Sequence, residues 1–148
     1  MHEKDALRQE LKELENAREV LAYSYQKCDK IGVRPGLSNE ELESFEALTG
    51  RFARLSDIVI QKIIRYFDVL ELEEPGTVRD RINRAEKKGV IENAEDFIQI
   101  RLLRNEIAHE YKSDAIYAIF ESVLNLTPVL LDSIEKIVAY ATRLTDDK

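Results

Sequence analysis

The feature that most constrains this chain is the run from Ser38 to Leu72, where Phe45, Leu48, Phe52, Leu55, Val59, Ile63, Tyr66 and Leu70 recur at steps of three and four. That spacing puts all of them on one side of an α-helix. Ser38 followed by Glu41 forms a capping box, in which each residue satisfies the other's backbone N–H, so the helix start is fixed locally. The second half of the run adds Ile58, Ile60, Ile64 and Phe67 and is apolar on more than one side. A helix buried on two faces is either an interior bundle helix or part of a subunit interface. Pro75-Gly76 ends it.

The flanking segments follow the same logic. Residues 4–28 place Leu7, Leu11, Leu14, Leu21 and Cys28 on one stripe, and residues 29–39 hold Gly32, Pro35 and Gly36, a loop. Thr77 caps a short helix to about Lys88, with Gly89 as its stop, and Asn93 opens a helix over about 94–110. Ser113-Asp114 opens a last helical stretch to about Leu144, with a kink or a fresh start expected at Pro128. Strand alternation is absent. The expected fold is all-α, an antiparallel bundle of about five helices in a single domain spanning 1–148.

Composition narrows the function. The net charge of −7 argues against a protein that wraps duplex DNA through its overall field, although one cleft lined by Arg and Lys is compatible with it. No uninterrupted apolar run of about 18 residues is present, so no membrane span is expected. The start Met1-His2-Glu3-Lys4-Asp5 lacks the apolar centre of a signal peptide, and the expected location is the cytoplasm. One cysteine and two histidines provide neither an internal disulfide nor a zinc-ligand set, so neither a metal nor another cofactor is expected.

The chemistry concentrates in Arg101–Tyr111. On a helical wheel at about 100° per residue, Ile100, Leu103 and Ile107 face the core, while Arg101, Asn105, His109 and Lys112 form a polar stripe. Arg104, Ala108 and Tyr111 lie on a third line between them. Arginine offers a forked, permanently charged donor for phosphate oxygens, and histidine exchanges protons near neutral pH. A phosphodiester attacked by its own 2′-hydroxyl needs little more than those two functions. The ordinary alternative is a histidine complementing a helix C-terminus and arginines paired with Glu95, Glu106 or Glu110. Arg104 and His109 are five residues apart, hence about 140° around the axis, and do not readily address one phosphate from one straight helix. Either the helix ends near His109 and the chain turns, or a two-fold brings two copies to one cleft.

The stretch Arg104-Asn105-Glu106-Ile107-Ala108-His109-Glu110-Tyr111 resembles the Arg-x4-His-x-Tyr signature of HEPN-domain toxins, of the HepT-like class paired with minimal nucleotidyltransferases. The resemblance extends to chain size, helical content and the motif's position on the penultimate main helix. It implies a metal-independent ribonuclease formed where two protomers meet, as a homodimer or higher oligomer. It assigns scissile-phosphate binding to Arg104, proton transfer to His109 and positioning of the histidine to Asn105. Arg101 and Lys112 would contact RNA. Tyr111 would be the tyrosine that a cognate nucleotidyltransferase antitoxin modifies with AMP. The same resemblance admits a non-catalytic companion that presents a substrate or nucleotide to the nucleotidyltransferase.

Other residues read more simply. Arg79, Arg81, Arg84, Lys87 and Lys88 suggest a solvated basic face, with RNA-backbone contact as the functional alternative. Tyr23, Tyr25, Tyr66, Tyr117 and Tyr140 sit singly on helices, as core or boundary residues. Cys28 completes an apolar stripe as a buried small residue.

Overall fold

Capping chemistry fixes where the helices begin. In the computed structural model, which describes residues 2–109 and 113–146, Ser38 and Glu41 form the reciprocal capping box that starts helix α2 (Asn39–Asp57). Thr77 and Asp80 form a second box at the start of α4 (Val78–Lys87), and Asn93 Oδ1 accepts the Asp96 N–H at the start of α5 (Ala94–His109). Each such cap is worth about 1 kcal/mol. Gly89 at φ 78° follows α4, where a side chain would be strained.

Among the described residues the chain is all-helical. The first helix, α1 (His2–Ile31), lies antiparallel to α2, as the pairs Cys28–Ser44, Ser24–Arg51, Glu13–Arg54 and Glu10–Lys62 run in opposite orders along the two helices. Without leaving helical backbone angles, α2 passes into a π-helical segment (Ile58–Ile63) and then α3 (Ile64–Leu70). There the Ile64 N–H reaches the Val59 carbonyl, five residues back. The last rod is α6 (Ser113–Asp132) followed by α7 (Ile134–Thr145). Five rods therefore make the bundle, counting α2–α3 and α6–α7 as one each.

The centre of the core comes from the long rod. Phe45, Leu48, Phe52, Leu55, Ile58, Val59, Ile60, Ile63, Ile64 and Phe67 are all buried. Burying one such side chain is worth about 1.5–3 kcal/mol. Phe45 stacks on Phe120 of α6 at 5.0 Å, and Phe67 meets Tyr140 of α7 at the same distance. The apolar surplus around Ile58–Phe67 is thus consumed inside one chain. It is interior packing, and it does not argue for a subunit interface.

Three details depart from the sequence reading. Pro128 lies within α6, which continues to Asp132. The interruption falls at Ser133, whose N–H and hydroxyl both donate to the Leu130 carbonyl. Tyr23 is 65% exposed and belongs to neither core nor boundary. By length and composition, Ala115–Thr145 is long and apolar enough to cross a membrane, although 28% of its most apolar window is buried inside the bundle. Its Val123, Leu130, Ile134, Ile137 and Ala141 are core residues here.

Candidate functional site

Helix α5 crosses the long rod so that Ile100 and Leu103 enter the core and Arg104 emerges beside Asp57. The contact is bidentate. Arg104 Nε donates to Asp57 Oδ1 and Nη2 to Oδ2, each at 2.9 Å. Two parallel charge-assisted bonds of this kind fix a guanidinium plane in a way a single contact does not. The side chains are 30% and 39% exposed, so the pair stands at the surface, within reach of a ligand.

The pair forms a wall between two grooves. One, of about 420 Å³, is lined by Ser56, Gln61, Lys62, Arg101, Asn105 and Ala108 as well as by the pair. The other, of about 410 Å³, includes Glu10, Glu13, Gly50, Arg54 and again Lys62. Lys62 faces Glu10 at 3.8 Å and Arg54 donates to Glu13 at 2.8 Å, so the second groove carries balanced charge. The first is more cationic. Arg101 is half-buried, and its Nε is shut off from solvent without a hydrogen-bond acceptor.

The structure brings Arg101, Arg104 and Asn105 to one groove and leaves His109 outside it. His109 is exposed, one turn beyond Asn105 on α5. Neither Asn105 nor His109 makes a side-chain hydrogen bond among the described residues, so the contact expected to orient the imidazole is not present in the single chain. Tyr111 and Lys112 lie outside the described residues.

Sequence reasoning missed Asp57 and Lys62. The available signal was a carboxylate set at the head of a strongly apolar helix segment, Ile58-Val59-Ile60, where an acid is uncommon without a partner. It also misread the basic short helix. Arg81 and Arg84 turn inward, 12% and 20% exposed, toward a buried Asp68 on α3. Arg84 Nη1 donates to Asp68 Oδ2 at 2.9 Å, while Lys88 is held by Glu71 and Glu73 at 2.7 and 2.6 Å. Burial acts to lower the Lys88 pKa, but the hydrogen bonds and charges of Glu71 and Glu73 together outweigh it and hold the pKa above the ordinary lysine range. Arg79 and Lys87 are exposed as expected.

Cys28 is buried, donates to the Ser44 carbonyl at 3.3 Å, and has its thiol pushed up to about 11 by burial despite nearby Lys27. A thiol so protonated is no nucleophile at neutral pH. Among the described residues no group of three or more His, Cys, Asp or Glu side chains is placed to hold a metal ion.

No protein-family model matches the chain, and no curated protein matches it either.

Proposed function

We propose that this chain is a HEPN-like ribonuclease toxin that cleaves RNA without a metal, in a cleft shared by two copies of the chain. The observation that carries the reading is Arg104, held by Asp57 at the edge of a cationic groove, five residues before an exposed histidine on the same helix. Asp57 engages the Nε–Nη2 edge of the Arg104 guanidinium and fixes its plane. In the reaction the RNA 2′-oxygen attacks phosphorus, the bond to the 5′-oxygen breaks, and the 2′-hydroxyl proton ends on the leaving oxygen. The products are a 2′,3′-cyclic phosphate and a 5′-hydroxyl. Arg104 stabilises charge on the phosphorane-like transition state, and His109 handles the proton. Because His109 does not line the groove of its own Arg104, a two-fold that brings both copies to one cleft supplies the missing partner. A cognate nucleotidyltransferase would silence the cleft by adding AMP, a bulky anion, to Tyr111, two residues after His109 in the sequence.

The test is incubation of the protein with total RNA and tRNA in EDTA. Wild-type protein yields 2′,3′-cyclic phosphate ends, and His109→Ala or Arg104→Ala loses about 10²–10³ in rate while remaining folded. Full activity in either folded variant refutes the assignment.

The Asp57 pair also favours a second reading, the non-catalytic companion of a nucleotidyltransferase, since a carboxylate beside the cation opposes an incoming phosphate. Asp57→Asn separates the two. In the ribonuclease reading cleavage falls because Arg104 loses its orientation. In the companion reading neither form cleaves RNA, and ATP binding strengthens.

A further inference from the structure

Beyond Arg101 the groove opens toward an unusual charge arrangement. Arg81 and Arg84 of α4 face one largely buried carboxylate, Asp68, and Arg65 of α3 and Arg101 of α5 lie near enough to Arg81 to repel its charge. Arg84 takes the short contact to Asp68 and also faces Glu73 at 3.7 Å. Arg81 is left with a 3.8 Å approach to the same Asp68 oxygen, too long for a hydrogen bond. The Nε atoms of Arg81 and Arg101 are both closed off from solvent without an acceptor among the described residues. Among the described residues Arg65 donates only to the Gln61 carbonyl in the preceding π-helical segment, at 3.3 Å, and it lies over the Tyr66 ring. Burial, and then repulsion from Arg65, Arg84 and Arg101, outweigh Asp68 and hold the Arg81 guanidinium below the ordinary arginine range. Cations packed this closely with too few carboxylates are costly unless an anion joins them.

Position tells which anion. Arg101 and Gln61 both line the Arg104 groove, so the cluster continues that groove. Arg101 precedes Arg104 by three residues, about 4.5 Å along the helix axis. Guanidinium forks suit phosphate oxygens, and a track of them beside a scissile-phosphate site suits a strand carrying successive phosphates. We propose that Arg65, Arg81 and Arg101 form a subsite for a second phosphate of the RNA strand whose scissile phosphate sits at Arg104. This rests on the ribonuclease reading and adds where the substrate lies: over α5, toward α3 and α4.

Binding is measured without cleavage. A fluorescent 2′-O-methyl RNA oligonucleotide, which has no 2′-hydroxyl to attack, is titrated into the full chain by anisotropy over a series of salt concentrations. Arg65→Gln and Arg101→Gln are chosen because Arg65 is exposed and Arg101 only half-buried, whereas Arg81 helps to hold Asp68. Each substitution is expected to weaken binding about tenfold. Each should also lower the slope of log K against log salt by about 0.7. Arg18→Gln, at a half-buried position of α1 outside both grooves, loses the same charge and should leave both values near wild type. The subsite is overturned if wild type does not bind the oligonucleotide, or if Arg65→Gln and Arg101→Gln behave like Arg18→Gln. It is equally overturned if these substitutions abolish self-association in sedimentation velocity and leave RNA affinity intact, since a second copy's carboxylates would then be the missing anions. The two readings fail separately. Wild type that binds through these arginines but cleaves no RNA sinks only the ribonuclease.

Discussion

Replacing Asp68 with asparagine keeps the size of the side chain and removes the one carboxylate around which Arg81 and Arg84 are packed. The three side chains are 10%, 12% and 20% exposed, so water offers little compensation. Breaking a pair buried to this degree by removing one partner costs about 3–5 kcal/mol, most of it the penalty of leaving the other charge uncompensated. Arg84 keeps Glu73 nearby, which places the expected value at the lower end, about 3 kcal/mol. For a chain of this length the unfolding entropy is about 0.3 kcal/mol per kelvin, so the melting temperature should fall by about 10 °C. Thermal unfolding followed by circular dichroism at 222 nm measures it. A double substitution, Asp68→Asn with Arg84→Met, should recover part of the loss, because the stranded charge is then gone. A fall of less than about 2 °C in the single variant, or a double variant less stable than the single, would refute the reasoning that the arginines are held in a poorly screened setting.

Two further outcomes follow from single side chains. Leu72 adopts a left-handed backbone conformation at φ 58° just past α3 and is 92% exposed, so it carries the strain of a position suited to glycine with no packing in return. Leu72→Gly should raise the melting temperature by about 3 °C, from about 1 kcal/mol, and a decrease would show that the leucine is retained for stability. The Cys28 thiol has its pKa raised from 9.0 to about 11, so the folded state favours the proton. Its stabilising contribution is therefore complete below pH 9 and is lost as pH rises from 9 toward 11. At pH 8 a thiol reagent such as DTNB should react only at the rate of unfolding, and reaction within the mixing time would contradict the burial.

How far the sequence could be read depended on the range of the interaction. The Ser38–Glu41 capping box, the Thr77 cap, the Gly89 stop and the core-facing positions of α2 were legible because each is settled within one or two turns. The polar cluster on α5 was legible as a candidate because Arg101, Arg104, Asn105 and His109 share one short segment. Its true electrostatics were not, since Asp57 meets Arg104 from 47 residues away. The basic residues of α4 looked solvated for the same reason: their spacing is polar, and only the fold brings Asp68 under them. The apolar surplus of Ile58–Phe67 had two meanings in one dimension, core or interface, and only the placement of α1, α4 and α7 chose between them. Pro128 failed as a boundary because a proline removes one helical hydrogen bond without obliging the chain to stop.

The π-helical segment has a consequence for the angular bookkeeping of the whole protein. Each π turn takes in one residue more than an α turn, and one residue corresponds to about 100° of rotation. Asp57 precedes Ile58–Ile63 and Asp68 follows it. A rod wound uniformly in α pitch would leave these two acids, eleven residues apart, facing almost the same way. Through its slower winding the segment works like an offset between two gears, turning one carboxylate toward Arg104 on α5 and the other toward Arg84 on α4. Rewinding the segment into α pitch at its present length would pull one of the two pairs out of mesh, whereas removing one residue at the same time would leave both aligned. The two arginine contacts can therefore drift in identity independently, but not in relative rotation.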